Sequence, residues 1–140
     1  MDAIYRFQIQ VTDEVVDANG HVNNVAYVQW MQDVAIRHAD AAGCSAITQK
    51  LGATWVARSH HVEYRKPGFA GDTVLALTWV ANFRKVFSLR KYKFVRAGDQ
   101  ALLAQAQTDW VLIDAKTGRA RSIPEVITSA FKIVPPDQEP

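Results

Sequence analysis

A short polar loop carries the side chains best suited to chemistry in this sequence. The segment VVDANGHVNNVAYVQWM, residues 15–31, places five hydrogen-bonding side chains within eight positions: Asp17, Asn19, His21, Asn23 and Asn24. A carboxylate can act as a general base or as a nucleophile, and an imidazole titrates near neutral pH. One capping residue would be enough to start the helix that follows. The loop therefore holds more polar groups than a cap requires.

Each of these residues also has a purely structural interpretation. Asp17 can close an Asx-turn, and Asn23 or Asn24 can cap the helix. His21 can hydrogen-bond Asp17 or a water molecule, or it can pack against the helix start as a polar loop residue. We expect Asn19 to position the loop or a substrate oxygen, because an amide neither accepts protons usefully nor attacks.

Outside the loop, the ionisable residues favour structural roles. Asp33 is expected to pair with Arg37 one helical turn later, and His38 is expected to be a core histidine. His61 and Glu63 share one face of a predicted strand, where they can pair on the surface or line a pocket. No grouping of His, Cys and Asp has the spacing typical of zinc sites, so we expect no metal.

Basic residues are concentrated in one segment. Six of the sixteen Lys and Arg residues lie in RKVFSLRKYKFVR, residues 84–96. They are suited to phosphate groups, as are Arg65 and Lys66, and an equally good interpretation is a charged edge strand that resists unwanted pairing. Aromatic residues interleave with these cations, a pattern of single-stranded nucleic-acid binders. The net charge of only +2 argues against a nucleic-acid partner.

The composition is that of one globular domain. The chain has 140 residues, of which 49% are hydrophobic and 21% charged. A single cysteine, Cys44, has no partner for an internal disulfide, which fits a reducing compartment. No apolar run is long enough for a bilayer span, and the first residues do not resemble a signal peptide. We therefore expect a soluble, cytoplasmic protein with no membrane partner.

The periodicity changes along the chain. Alternation in AIYRFQIQV predicts a half-buried strand, and apolar spacings of three and four from Asn24 to about Ala42 predict a widely covered helix that Gly43 ends. Further strands are predicted in the runs 53–67, 73–83, 85–98 and 100–118. A short helix is predicted over 124–131, with Ser122 as its cap and Pro124 in its first turn.

Consecutive strands joined by tight turns imply an antiparallel meander, and the long helix must cover one face of it. The predicted fold class is α+β, with a sheet curved around one long central helix. We expect one domain over residues 1–133 and a flexible tail over 134–140, because the tail is rich in proline and acid.

This order of elements resembles the hotdog fold of the acyl-CoA thioesterases, over about residues 4 to 131. The nearest likeness is to the 4-hydroxybenzoyl-CoA thioesterase branch, and DANGHVNN is especially similar to the loop signature of plant acyl-carrier-protein thioesterases. The strand-turn-strand VEYRKPGFAGDTV also resembles the family pattern. The resemblance implies hydrolysis of acyl-CoA or acyl-carrier-protein thioesters, with no cofactor beyond the carrier of the substrate.

The resemblance also implies roles for individual residues. Asp17 would be the base or nucleophile, the Asn24 backbone amide would stabilise the oxyanion, and Asn19 and His21 would support Asp17 or water. Substrate contacts are expected from four residues: Tyr27, Arg65, Lys66 and Arg90. Some relatives carry the working carboxylate on the helix, which makes Asp33 a reserve candidate.

Two other functions compete with hydrolysis. The first is a non-catalytic acyl or ligand binder of the same fold, which would need a pocket but no positioned carboxylate. The second is a hotdog hydratase or dehydratase, whose Asp and His lie five positions apart, whereas Asp17 and His21 lie four apart. By analogy we expect a homodimer or homotetramer, since pairing two copies would close an open sheet edge. Acyl chain length, aromatic or aliphatic preference and the type of carrier stay open.

Overall fold

The computed structural model describes residues 2–140 and contains one five-stranded sheet. Its strands are β1 (Tyr5–Gln10), β2 (Ala53–Tyr64), β3 (Thr73–Arg84), β4 (Phe87–Arg96) and β5 (Leu102–Asp114). The helices are α1 (Asn24–Ala41), α2 (Cys44–Lys50) and α3 (Glu125–Thr128). All strand pairs are antiparallel, in the order β1-β3-β4-β5-β2. The fold class is therefore α+β, as predicted.

The first strand and the long helix form where the sequence predicts them. Along β1, half-buried and exposed residues alternate, as expected of a strand with one face on the core. The Asn23 side chain caps α1 by accepting from the Val25 amide. Gly43 follows the helix with a φ of 77°, a conformation that costs glycine little. Helix α1 is 18 residues long.

The sheet is not a simple meander. Strands β3, β4 and β5 are sequential neighbours, but β2 pairs with β5 and leaves its other edge unpaired among the described residues. The turn predicted between β2 and β3 at PGFAGD, residues 67–72, is instead part of a connection, residues 65–72, that crosses the end of the sheet. The Arg65 amide bonds the Leu103 carbonyl on the β2 side, and the Val11 amide bonds the Asp72 carbonyl on the β1 side. Turn residues in this segment redirect the chain without making a hairpin.

The core lies between α1 and one face of the sheet. Helix residues such as Met31 and Val34 are almost fully buried and belong to the same apolar cluster as Val74 and Phe94 of the sheet. The helix is not alone on this face, because α2 and α3 form a second cluster around Ile127. The sequence predicts neither α2 nor the short extent of α3, which has no side-chain cap from Ser122.

The C-terminal segment 134–140, which the sequence predicts to be flexible, packs against β3 and β4. Val134 is 2% exposed, and its amide donates to the Val80 carbonyl at 3.0 Å. The Glu139 carboxylate lies 2.8 Å from the Lys91 ammonium. Among the described residues, no helix is both long and apolar enough to cross a membrane.

Candidate active site

The loop before α1 is a closed turn built around the Asp17 carboxylate. Its base is a short antiparallel bridge between Val16 and Val22. One carboxylate oxygen of Asp17, Oδ1, accepts from the Asn19 amide at 2.9 Å and from the His21 amide at 3.1 Å. The backbone adds a bond from the Asp17 amide to the His21 carbonyl at 2.7 Å. The structural role weighed for Asp17, an Asx-turn, is therefore present.

The second oxygen of the same carboxylate, Oδ2, is free to react. Within residues 2–140, Oδ2 of Asp17 has no hydrogen-bond partner, and the residue is exposed. Because two amides hold Oδ1, the direction of the second oxygen is fixed by the loop. A carboxylate held in this way can accept a proton from water or attack an electrophile.

The start of α1 supplies a free amide next to this loop. Asn23 uses its own amide to bond the Val15 carbonyl at 2.7 Å, and its side chain accepts from Val25. The amide of Asn24 has no partner among the described residues. It lies at the positive end of the helix dipole, where a developing negative charge is favoured. A backbone amide needs no particular side chain, which is why the type of residue 24 alone could not indicate this role.

His21 and Asn19 do not contact the free oxygen of Asp17. The His21 ring lies edge-to-face on Phe69, with 5.3 Å between ring centroids, and the two residues also pair through their backbones. The Val22 amide donates to the Gly68 carbonyl at 2.8 Å. Residues 65–72, which cross the end of the sheet, therefore hold the loop in place through Gly68 and Phe69. No local sequence pattern indicates this contact.

Tyr27 lies in the core, where other aromatic side chains surround its ring. It is 3% exposed and packs edge-to-face against Trp30, Tyr64 and Phe94. Its hydroxyl is the one fully buried side-chain polar atom without a partner in residues 2–140. Burial raises the pKa of Tyr27 to about 12, so the hydroxyl stays protonated.

The structure separates the basic residues expected to contact substrate. Arg65 is half-exposed at the end of β2, where it pairs with Glu63 at 2.8 Å, and Lys66 is exposed beside it. Arg90 is only 5% exposed and lies between the sheet and α1, where it bonds His38. Alternation along β4 turns Arg90 inward and its neighbour Lys91 outward, so the basic segment is not one surface.

The other ionisable residues have the structural roles weighed for them, with one exception. His38 is a core histidine, and His61 pairs with Glu63 on the surface at 3.5 Å. The predicted pair of Asp33 with Arg37 is wrong. Asp33 accepts from a glutamine one turn earlier, and the Arg37 guanidinium stacks 4.0 Å above the Phe7 ring.

A cavity of about 550 Å³ lies away from the Asp17 loop. It is bounded by the second half of α1, by α2 and by the start of β2, and Arg90 is among its lining residues. No residue of the loop lines it. Residues 2–140 contain no cluster of three His, Cys, Asp or Glu side chains that could hold a metal ion.

Comparisons with known proteins agree with this architecture. Residues 11–131 match the family described as the thioesterase-like superfamily. The chain is 24% identical over 136 residues to a chloroplastic palmitoyl-acyl carrier protein thioesterase from Cuphea hookeriana, covering 92% of this chain and 33% of that protein. It therefore spans one third of the length of this curated relative.

Solved structures show the same fold at low sequence identity. A 1,4-dihydroxy-2-naphthoyl-CoA thioesterase from Synechocystis superposes with a TM-score of 0.82 at 18% identity, covering 91% of this chain and 95% of the other. A 12:0-ACP thioesterase from Umbellularia californica gives a TM-score of 0.82 at 20% identity, with coverages of 93% and 51%. These likenesses bear out the predicted hotdog fold. With a family match over most of its length, the chain belongs to the thioesterase-like superfamily.

Proposed function

We propose that this chain hydrolyses acyl thioesters to a free acid and a thiol. The observation that carries the proposal is the state of the Asp17 carboxylate: two amides fix one oxygen, and the other has no hydrogen-bond partner within residues 2–140 on this exposed residue. The free amide of Asn24, at the start of the helix that this loop precedes, supports the same chemistry. Family membership gives the reaction class.

In the proposed reaction, Asp17 either removes a proton from water or attacks the thioester carbon itself. The carbonyl oxygen gains negative charge as the new C–O bond forms, and the Asn24 amide stabilises that charge. Collapse of the intermediate breaks the C–S bond, and the thiolate leaves with the electron pair. If Asp17 attacks first, water then hydrolyses the acyl-aspartate anhydride.

The remaining roles follow from position. Asn19 holds the Asp17 oxygen through its backbone amide, and the His21 ring is half-buried beside the loop, where it can orient water. Arg65 and Lys66 are exposed at the end of β2 and are suited to the phosphates of coenzyme A. Arg90 is assigned no role at the phosphates, because it lies under α1. Tyr27 would form part of the floor of the site.

We also propose that two copies pair through β2. This strand has twelve residues, and only one of its edges is hydrogen-bonded in the part of the chain that the structure describes. An unpaired edge of this length is a template for a second strand, and pairing would satisfy its backbone groups. Sedimentation of the unmodified chain should give twice its mass of 15.6 kDa, or four times that mass for a tetramer. Sedimentation as a monomer at micromolar concentration would contradict the pairing.

The test of the reaction class is thiol release from short, long and aromatic acyl-CoA esters and from an acyl-carrier protein. The proposal expects turnover of at least one of these esters, and the preferred ester identifies the acyl class and the carrier. Tight binding of an ester without thiol release would instead favour the acyl binder.

A further inference from the structure

The cavity between α1, α2 and β2 has mostly apolar walls, a few uncharged polar side chains and one charged group. Four aromatic side chains line it: Trp55, Phe83, Trp110 and Phe131. Arg90 reaches it from β4, and Ser88 lies two residues earlier on the same face of that strand. A volume of about 550 Å³ falls within the range typical of small-molecule sites.

The charge of Arg90 has no anionic partner among residues 2–140. One of its nitrogens, Nη1, donates to Nδ1 of His38 at 2.8 Å and to the Thr78 hydroxyl at 3.1 Å. No carboxylate lies within 4.0 Å of the guanidinium in the part of the chain from residue 2 to residue 140. His38 accepts this bond at Nδ1, so its imidazole is neutral and adds no negative charge. The fold therefore buries a cation beside two neutral groups.

The rest of the guanidinium borders the cavity beside the Phe131 ring, with 5.5 Å between Cζ of Arg90 and the ring centroid. Arg90 Nη2 and Nε have no hydrogen-bond partner among the described residues. Both atoms are still accessible, because the Tyr27 hydroxyl is the only side-chain polar atom of residues 2–140 that is fully buried without a partner. Arg90 as a whole is 5% exposed, and the space it borders is the cavity. A guanidinium presents paired N–H groups that match the two oxygens of a carboxylate.

We propose that this cavity binds a ligand with an apolar body and a carboxylate, which Arg90 holds with help from the Ser88 hydroxyl. Such a ligand supplies the missing counter-charge at a desolvated cation and covers the aromatic walls. The site is separate from the Asp17 loop within one chain. His38, which touches Arg90, lies fourteen residues after Asn24, about 21 Å along the helix.

A carboxylate bound at Arg90 can come from two kinds of ligand, and both would make the same contacts with the guanidinium. It is either the far end of a dicarboxylic acyl group or a separate carboxylic acid. The first source rests on the proposed hydrolysis and on the proposed pairing through β2, because a ten-carbon acyl group is too short to run from Arg90 to the Asp17 loop of the same chain and must reach the loop of a second copy. Binding of a separate carboxylic acid rests on neither proposal. A binding experiment therefore tests the site even if the chain hydrolyses nothing.

The binding arm compares octanoate with octanamide by titration calorimetry. These ligands share an apolar chain and differ in charge, so the unmodified chain should bind octanoate about ten- to a hundredfold more tightly. In Arg90→Met that preference should disappear, while Arg119→Met, which removes an exposed arginine, should keep it. Equal binding of the two ligands by the unmodified chain overturns the proposal without any variant, and so does a preference that survives in a folded Arg90→Met chain.

The source is decided by comparing thiol release from sebacoyl-CoA and decanoyl-CoA, which differ by a terminal carboxylate. A preference for sebacoyl-CoA of about tenfold or more that Arg90→Met abolishes assigns the carboxylate to the acyl group. Equal rates together with tight octanoate binding assign it to a separate acid. Equal rates with no octanoate preference overturn the site. If neither ester is hydrolysed, the proposed function fails and the calorimetry alone decides the site.

Discussion

Replacing His38 should remove much of the acid sensitivity of the fold. His38 is 2% exposed, stacks on Tyr5 and accepts a bond from Arg90 through Nδ1. Burial, together with the nearby charge of Arg90, lowers the pKa of His38 to about 3. The imidazole therefore stays neutral in the folded chain at pH 5, whereas in the unfolded chain it takes a proton near its ordinary pKa of 6.5.

The sign and size follow from proton linkage. Below pH 6.5 the unfolded state binds more protons than the folded state, so stability falls as the pH falls. With pKa values of 6.5 and about 3, this one residue costs about 2 kcal/mol between pH 7 and pH 5. The loss continues at about 1.4 kcal/mol per pH unit until the pH approaches the folded pKa.

The assay is urea unfolding at pH 5, 6 and 7, a window above the range in which most carboxylates titrate. In His38→Gln, the amide oxygen can still accept from Arg90 but does not titrate, so the fall in unfolding free energy should shrink by about 2 kcal/mol. His60, whose pKa burial also lowers, leaves a residual slope in both chains. The exposed His61→Gln serves as the control. An unchanged slope in His38→Gln would refute the reasoning.

Three further predictions concern the fold around the loop and the tail. Gly68→Ala places a Cβ 3.0 Å from the Val22 side chain and should lower the unfolding free energy by about 1–3 kcal/mol, whereas Gly98→Ala meets nothing within 4 Å and should not destabilise by overpacking. Equal urea midpoints for the two would contradict this. Asp17→Ala loses the acceptor of two amides and should unfold about 1 kcal/mol more easily than Asp17→Asn, which keeps it. In hydrogen exchange the Val134 amide should be protected, and exchange at the rate of a free peptide would show that the tail does not pack.

Local patterns predicted the elements that depend on local physics. The alternation in β1, the spacing of α1 and the Asn23 cap each involve residues a few positions apart, so the sequence indicates them directly. The position of β2 in the sheet could not be predicted from its own residues. It is set by the connection that follows, and a segment rich in turn residues fits a hairpin and a crossing connection equally well. Helix α2 has only seven residues, too few for a clear period.

The residue types of the candidate site were predictable from the sequence, but the long-range contacts that hold the site in place were not. The polar cluster around Asp17 stands out in the sequence, and the Asx-turn is a local property of that loop. The contact of His21 with Phe69 joins residues far apart in the chain, as does the bond between Arg90 and His38. The cluster of basic residues in 84–96 did not predict one phosphate-binding surface, because a count of charges does not show which face of a strand each residue occupies.

Thiol release by Asp17→Asn, beside the unmodified chain, tests the central claim most directly. The asparagine keeps the oxygen that accepts from the two loop amides and removes the free one, so the loop should stay folded while the base or nucleophile is lost. We expect a fall of about a hundredfold or more on the best ester, and little change in Asp33→Asn, which alters an exposed carboxylate on α1. Activity that survives in Asp17→Asn and disappears in Asp33→Asn would contradict the account and move the working carboxylate to the helix.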